Sequence, residues 1–132
     1  MELRLEVVTL VVKDIDIAKE FYVNKLGFHT DMDVQVTDTL RFVQLTAPGS
    51  KCSIHLSVDE SIMPAGSLGG VILVVDDAKR AKEYLDGKGI ATSDIDELGF
   101  GKHVYFSDPD GNSWIVQESY AQNQASQRGA KR

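Results

Sequence analysis

The chain has one cysteine, no long apolar run and no excess of basic charge. Cys52 alone permits no internal disulfide and no cysteine cluster for zinc or an iron–sulfur centre. No apolar stretch approaches the ~20 residues of a membrane-spanning helix. The opening MELRLEVV mixes acids with apolar residues and has no separate apolar segment of the secretory kind. These absences lead us to expect a cytoplasmic protein with no membrane partner. Acid predominates: the net charge is −6, and before the tail that follows Tyr120 there are 11 basic against 20 acidic side chains. A body that acidic repels phosphate backbones, so no nucleic-acid partner is expected. The glycine-rich pieces SLGG and GFG lack phosphate-loop spacing and read as linker and turn.

What is present is an internal repeat. Residues 10–21 read LVVKDIDIAKEF and residues 73–84 read LVVDDAKRAKEY, at a constant offset of 63. Each copy closes on a glycine, Gly27 or Gly89, followed by Phe28 or Ile90. Two copies in 132 residues are too few for a solenoid and point instead to two similar modules in one domain.

Both modules follow one grammar. A β-rich run, Leu5–Val12 or Val71–Val75, leads to an aspartate suited to an N-cap, Asp14 or Asp77. A helix follows, with Ile17, Phe21 and Tyr22 as the apolar face in the first copy and Ala78, Ala81 and Leu85 in the second. Three extended stretches come next, near 28–36, 40–47 and 52–58, and again near 90–96, 102–107 and 113–119. APGS, ELGFG and DPDG are the turns, and 59–69 is the linker. The order is βαβββ twice, an α+β chain. One domain is expected over 1–120, with modules at about 5–58 and 69–119. The tail over 121–132, AQNQASQRGAKR, has no apolar periodicity and is expected to be disordered.

LVVKDIDIAKEFYVNKLGF, GGVILVVDDAKRAKEYLDGKGI and FSDPDGNSWIVQE together resemble the vicinal oxygen chelate superfamily, which includes glyoxalase I, bleomycin-resistance-type binding proteins, extradiol dioxygenases and several epimerases. The resemblance implies two βαβββ modules forming a cup-shaped mixed sheet with helices on the outside, usually in a homodimer. It also implies, for the enzymes, a divalent metal held by one residue from the first and one from the last strand of each module. In this sequence the four positions fall on Val7, Gly70, His55 and Ile115. Only His55 can donate to a metal, whereas a bound divalent cation needs three or more protein donors. The expectation is therefore no metal and no other cofactor.

Alternation along the strands sorts the remaining candidates. If Ile115 faces the cup, so does Gln117, while Glu118 shares the other face with Trp114 and Val116; Glu118 then reads as a solvated or interface residue. TLRFVQLT divides into Arg41, Val43 and Leu45 against Leu40, Phe42, Gln44 and Thr46. If the second set lines the cup, Gln44, Gln117 and His55 are neutral polar anchors among Phe42 and Val7, the make-up of a small-molecule site. His55 is the sharpest candidate, as a hydrogen-bonding group or as a base near neutral pH. Trp114 is a candidate for stacking on an aromatic ligand or, alternatively, for packing. His29 reads as a surface residue and Cys52 as a small apolar one with parity opposite to His55, which disfavours a Cys–His nucleophile. His103 is a possible partner for His55.

Three functions follow. The first is binding of a small apolar or aromatic molecule by a metal-free protein, with His55, Gln44, Phe42, Gln117, Val7 and Trp114 as ligand-binding residues. The second is a glyoxalase-like lyase or isomerase, or a dioxygenase-like enzyme, using His55 or a relocated metal held by such residues as His55, His103 and Glu118. The third is a partner-binding module without a ligand.

Overall fold

A computed structural model describes residues 1–119, so the tail expected to be disordered over 121–132 lies outside the described residues. The elements run β1 (Val7–Val11), α1 (Ile15–Lys19), β2 (His29–Gln35), β3 (Arg41–Thr46), β4 (Ser53–Ser57), β5 (Val71–Val74), α2 (Ala78–Gly87), β6 (Asp96–Leu98), β7 (Gly101–Ser107) and β8 (Ser113–Ser119). They form two four-stranded mixed sheets, ordered β1-β4-β3-β2 and β5-β8-β7-β6. In each sheet the first strand runs parallel to the last, β1 with β4 and β5 with β8, and the other pairs are antiparallel. The fold is α+β and the βαβββ order occurs twice. The chain divides into two compact units, Met1–Leu68 with Asp108–Asn112, and Gly69–Ser107 with the residues from Ser113 onward.

The aspartates named from the repeat cap both helices. Asp14 accepts from the Ile17 amide and Asp77 from the Arg80 amide, each at 3.1 Å. This satisfies one of the orphan donors that begin every helix. Gly27 and Gly89 follow the helices with φ of 87° and 77°.

The first helix departs from the expected apolar face. Its buried residues are Ile15, Ala18, Phe21 and Tyr22, whereas Ile17 is 57% exposed. Capping at Asp14 starts the helix at Ile15, and Ile17 then lies outside the stripe that Ile15 and Ala18 share. Beyond Lys19 the helix widens into π-helical turns over Glu20–Lys25, with Leu26 N–H donating to the Phe21 carbonyl at 3.0 Å. The wider turn lets Phe21, Tyr22 and Leu26 all turn inward.

The two modules bury matching layers. Leu10, Leu56 and Val43 are register neighbours in the first sheet, as Leu73, Val116 and Val104 are in the second. Leu10, Val43 and Leu56 are fully buried and α1 packs on β4. In the second unit α2 packs on β7 and β8, with Ala78, Leu85 and Ile90 buried beside Val104, Phe106, Trp114 and Val116. On the helix side of the first sheet, Arg41 takes Asp33 by two nitrogens at 2.8 Å and Asp16 at 2.7 Å, and Lys19 reaches Asp33 at 2.8 Å. The network ties α1 to β2 and β3 and holds the Asp33 carboxyl well below the ordinary carboxylate range, chiefly through the Arg41 hydrogen bonds.

One expected strand is displaced. The stretch near 90–96 joins the regular ladder only at Asp96, as β6 over Asp96–Leu98, although the Ser93 amide already donates to the Tyr105 carbonyl at 3.0 Å. Ser93 explains the shortening: its hydroxyl accepts from the Tyr105 amide at 2.9 Å, where a ladder carbonyl would otherwise do so.

The DPDGN turn belongs to the first unit and is built on Asp108. One carboxylate oxygen of this buried residue accepts from the amides of Asp110, Gly111 and Asn112 at 2.9–3.0 Å. The other accepts from the Tyr22 hydroxyl at 2.7 Å and the Asn112 side-chain amide at 2.8 Å. Asn112 also donates to the Val11 carbonyl at 3.2 Å and accepts from the Leu68 amide at 3.0 Å. The linker is part of the same assembly: a Cβ on Gly66, at φ +77°, would lie 2.0 Å from the Asp110 carbonyl oxygen. Only glycine fits there.

Asp108→Ala should lower the unfolding free energy by about 3 kcal/mol, because it orphans several buried donors at once. Tyr22→Phe removes one charge-assisted bond and should cost about 1.5 kcal/mol. Urea unfolding followed by circular dichroism measures both, and an unchanged midpoint for Asp108→Ala would show that the turn is not an anchor.

Candidate functional site

The sheet of the first unit has two unlike faces. Arg41, Val43 and Leu45 turn toward the helix, and Phe42, Gln44 and Thr46 turn the other way. Pairing then decides who meets whom: Gln44 stands opposite His55, Thr9 beside His55, Met32 opposite Gln44, and Val34 opposite Phe42. Val7 is one alternate position from Thr9 along β1. Four residues expected to share a face, His55, Gln44, Phe42 and Val7, therefore do share one.

His55 is the centre of this face. Its ring stacks on Phe42 with centroids 4.6 Å apart and planes 26° apart. Thr9 Oγ1 lies 3.4 Å from Nδ1. Nε2 is buried and has no hydrogen-bond partner among the described residues. Burial lowers the pKa below the ordinary value of 6.5, because the low-dielectric surroundings disfavour the imidazolium. At neutral pH His55 is thus an uncharged imidazole with one nitrogen unused. Val7, Met32 and Val34, on the strands around it, are 37–47% exposed and leave apolar side chains at the surface beside His55. Thr9 was not singled out from sequence; alternation from Val7 along β1 carries the signal for it.

The second unit repeats the plan with other residues. Register places Ile115 where the first unit has His55, since Ile72 pairs with Ile115 as Thr9 pairs with His55. Gln117 lies on the same face as Ile115 and bonds to His103 Nε2 at 3.0 Å. Trp114 faces the other way. It is 2% exposed and stacks on Phe106 at 6.1 Å with planes 4° apart, so its ring packs in the core of this unit. Glu118 also lies on the helix side and is half-buried. It accepts from the Ala78 amide at 2.8 Å and so caps the start of α2, favourably placed against the helix dipole.

Of the four positions that the sequence resemblance assigned to a metal, Val7 and Ile115 carry only carbon, Gly70 has no side chain, and His55 carries an imidazole. His103 and Glu118 lie on opposite faces of β7 and β8, so the relocated set is not assembled. Among the described residues no three His, Cys, Asp or Glu side chains gather as a metal site would require. Cys52 is half-buried, with Sγ 3.7 Å from the Ser53 carbonyl. His29 is a surface residue, as expected, 4.0 Å from Asp31. Hollows of about 330 and 350 Å³ lie elsewhere in the first unit, one beside Leu40, Arg41 and Val58 and the other beside Lys19, Val23 and Thr30; neither includes His55.

No helix of the described residues is long and apolar enough to cross a membrane. A family model described as the Glyoxalase/Bleomycin resistance protein/Dioxygenase superfamily matches residues 4–116. No curated protein matches the chain. Among solved structures, TnmS3, an antibiotic binding protein from Streptomyces sp. CB03234, is 30% identical with a TM-score of 0.82, covering 89% of this chain and 97% of its own. A glyoxalase/bleomycin resistance protein from the same strain is 32% identical with a TM-score of 0.76, over 86% and 99% of the two chains. A superfamily member from Sphaerobacter thermophilus DSM 20745 is 29% identical with a TM-score of 0.75, over 88% and 97%. With the repeated βαβββ sheets and a family match over residues 4–116, the chain belongs to the glyoxalase/bleomycin resistance protein/dioxygenase superfamily.

Proposed function

We propose that the protein binds a small, uncharged, apolar or aromatic organic molecule on the face that carries His55, and acts by sequestering it. The observation that carries this reading is the stacked Phe42–His55 pair with an unused Nε2, set among exposed Val7, Met32 and Val34. A flat apolar surface supplies affinity through burial, and a neutral imidazole with one nitrogen unpaired supplies orientation. Thr9 and Gln44 flank His55 on the neighbouring strands, with Thr9 Oγ1 3.4 Å from Nδ1. The likeness to an antibiotic binding protein supports the same class of ligand. Catalysis through a metal at the superfamily's positions is not proposed, because the side chains there do not suit one.

The reading extends to a cytoplasmic homodimer. β1 and β5 stand at the edges of their sheets, and the residues before β1 leave Leu3 and Leu5 88% and 72% exposed. Edge strands flanked by apolar side chains invite pairing with a second chain. Light scattering on the full chain should give twice the mass of the monomer, and Leu3→Glu with Leu5→Glu should shift it toward one chain; a wild-type monomer at high micromolar concentration would refute the dimer.

Calorimetric titration against a panel of neutral polycyclic aromatics should find ligands that also raise the melting temperature. His55→Ala and Phe42→Ala should each weaken binding about tenfold, the loss of one stacking or hydrogen-bonding contact. Variants that bind like the wild type would sink the assignment to this face.

The depressed His55 pKa has a consequence for stability. At pH 7 the ring is neutral in both folded and unfolded chains. Below 6.5 the unfolded chain takes up a proton that the folded chain resists, so stability falls with pH until the lowered folded value is passed. His55→Gln should remove that part of the decline, read as a smaller loss of urea midpoint between pH 7 and pH 5 than in the wild type. Parallel curves for the two proteins would mean that His55 is solvated.

A further inference from the structure

The second unit holds a polar group that its own fold leaves unfinished. His103, on β7, is 3% exposed and stands in register with Gln117 of β8. Its Nε2 donates to the Gln117 side-chain oxygen at 3.0 Å. An amide oxygen only accepts, so Nε2 carries a proton, and Nδ1 is the ring nitrogen left to accept. Nδ1 is buried and has no hydrogen-bond partner among the described residues. A buried acceptor without a donor is costly, and native structures rarely keep one unless something else supplies the donor.

The surroundings say what kind of donor would fit. Phe100 meets the His103 ring edge-on, with centroids 5.0 Å apart and planes at 68°. Tyr105 lies nearly parallel to it, at 6.5 Å and 12°. Phe100 sits in the two-residue turn between β6 and β7 and is 60% exposed, so its ring can swing aside without opening the core. Register puts Ile72, Val74 and Ile115 on the same face, and Ile72 and Val74 are about half-exposed (50% and 51%). The Tyr105 hydroxyl is already engaged, lying 3.3 Å from Asp96. Asp96, opposite His103 in the ladder, is exposed to solvent, and the buried acceptor that this face leaves without a donor is His103 Nδ1.

We propose that His103 is a ligand-binding residue and that this face takes a flat, neutral aromatic molecule bearing a hydroxyl or ring N–H. Such a molecule displaces the Phe100 ring, lies against Tyr105 and donates to Nδ1. Phenols and N–H heteroaromatics have this chemistry; their O- or N-methylated forms do not. The proposal stands on the second unit alone and needs nothing to bind at His55.

The test is nitrogen NMR on the full chain with isotope-labelled histidine, titrated with β-naphthol and, as the control without a donor, with its methyl ether. The expected result is an upfield shift of His103 Nδ1 with naphthol only, and binding of naphthol about tenfold tighter than the ether. His103→Phe should bring the two affinities together; if that variant does not fold, the wild-type shift decides. His55 reports the other face in the same spectra. Movement of His55 with His103 silent would overturn this proposal and leave the reading of the first unit intact. Movement of His103 with His55 silent would support it and count against that reading. A His103 Nδ1 that stays unmoved at saturating naphthol, or that already carries a donor in the free protein, overturns it.

Discussion

The Asp108 carboxylate is the interaction on which the first unit is organised. Three backbone amides of the DPDGN turn, the Asn112 side chain and the Tyr22 hydroxyl all converge on its two oxygens. A buried carboxylate is tolerable only when so fully bonded. The bonds then act as positional constraints: they fix the turn, and through Asn112 the turn fixes the end of β1 at Val11 and the linker at Leu68. The π-helical widening after Lys19 is part of the same arrangement, because it brings Tyr22 inward beside Phe21. β1 and β4, whose pairing places Thr9 beside His55, are thereby held by a residue that lies 53 positions further along the chain than His55.

The sheets that this framework supports divide their labour by face. Toward the helices they carry Leu, Val, Ile and Trp side chains that are nearly all buried. Away from the helices they carry exposed aliphatic residues, aromatic rings, and one histidine each with an unpaired nitrogen. A fold optimised for stability alone would not leave two buried nitrogens unmatched, since each forfeits a hydrogen bond that water once supplied. Burial around His55 disfavours the imidazolium and keeps its ring neutral, and a neutral imidazole can accept or donate as a ligand requires.

Much of this was legible in the sequence because it depends on short-range rules. The offset of 63 between the two copies, an aspartate before each helix and alternation in each strand were enough for two βαβββ modules and both N-caps, and left the sharing of one face by His55, Gln44, Phe42 and Val7 conditional on which side of β3 turned toward the helix. Local rules failed where a distant partner intervened. Ile17 satisfied a helical spacing, but the cap set the phase and turned it outward. The stretch 90–96 had strand composition, yet the Ser93 hydroxyl took the place of a ladder carbonyl. Glu118 had its parity right but was read as a solvated or interface residue, because the helix start that it caps is 40 residues away.

The sequence by itself therefore determined the family, the module order and which residues of each strand share a face, since these follow from residue identity and period. Tertiary structure alone decided which residues on those faces meet. Thr9 became a neighbour of His55 through parallel pairing of β1 with β4. Trp114 went to a core stack with Phe106, and Asp108 became an anchor by reaching Tyr22. Each of these is a contact between residues close in space, and no periodicity along the chain specifies the register, the packing or the side-chain reach that brings them together.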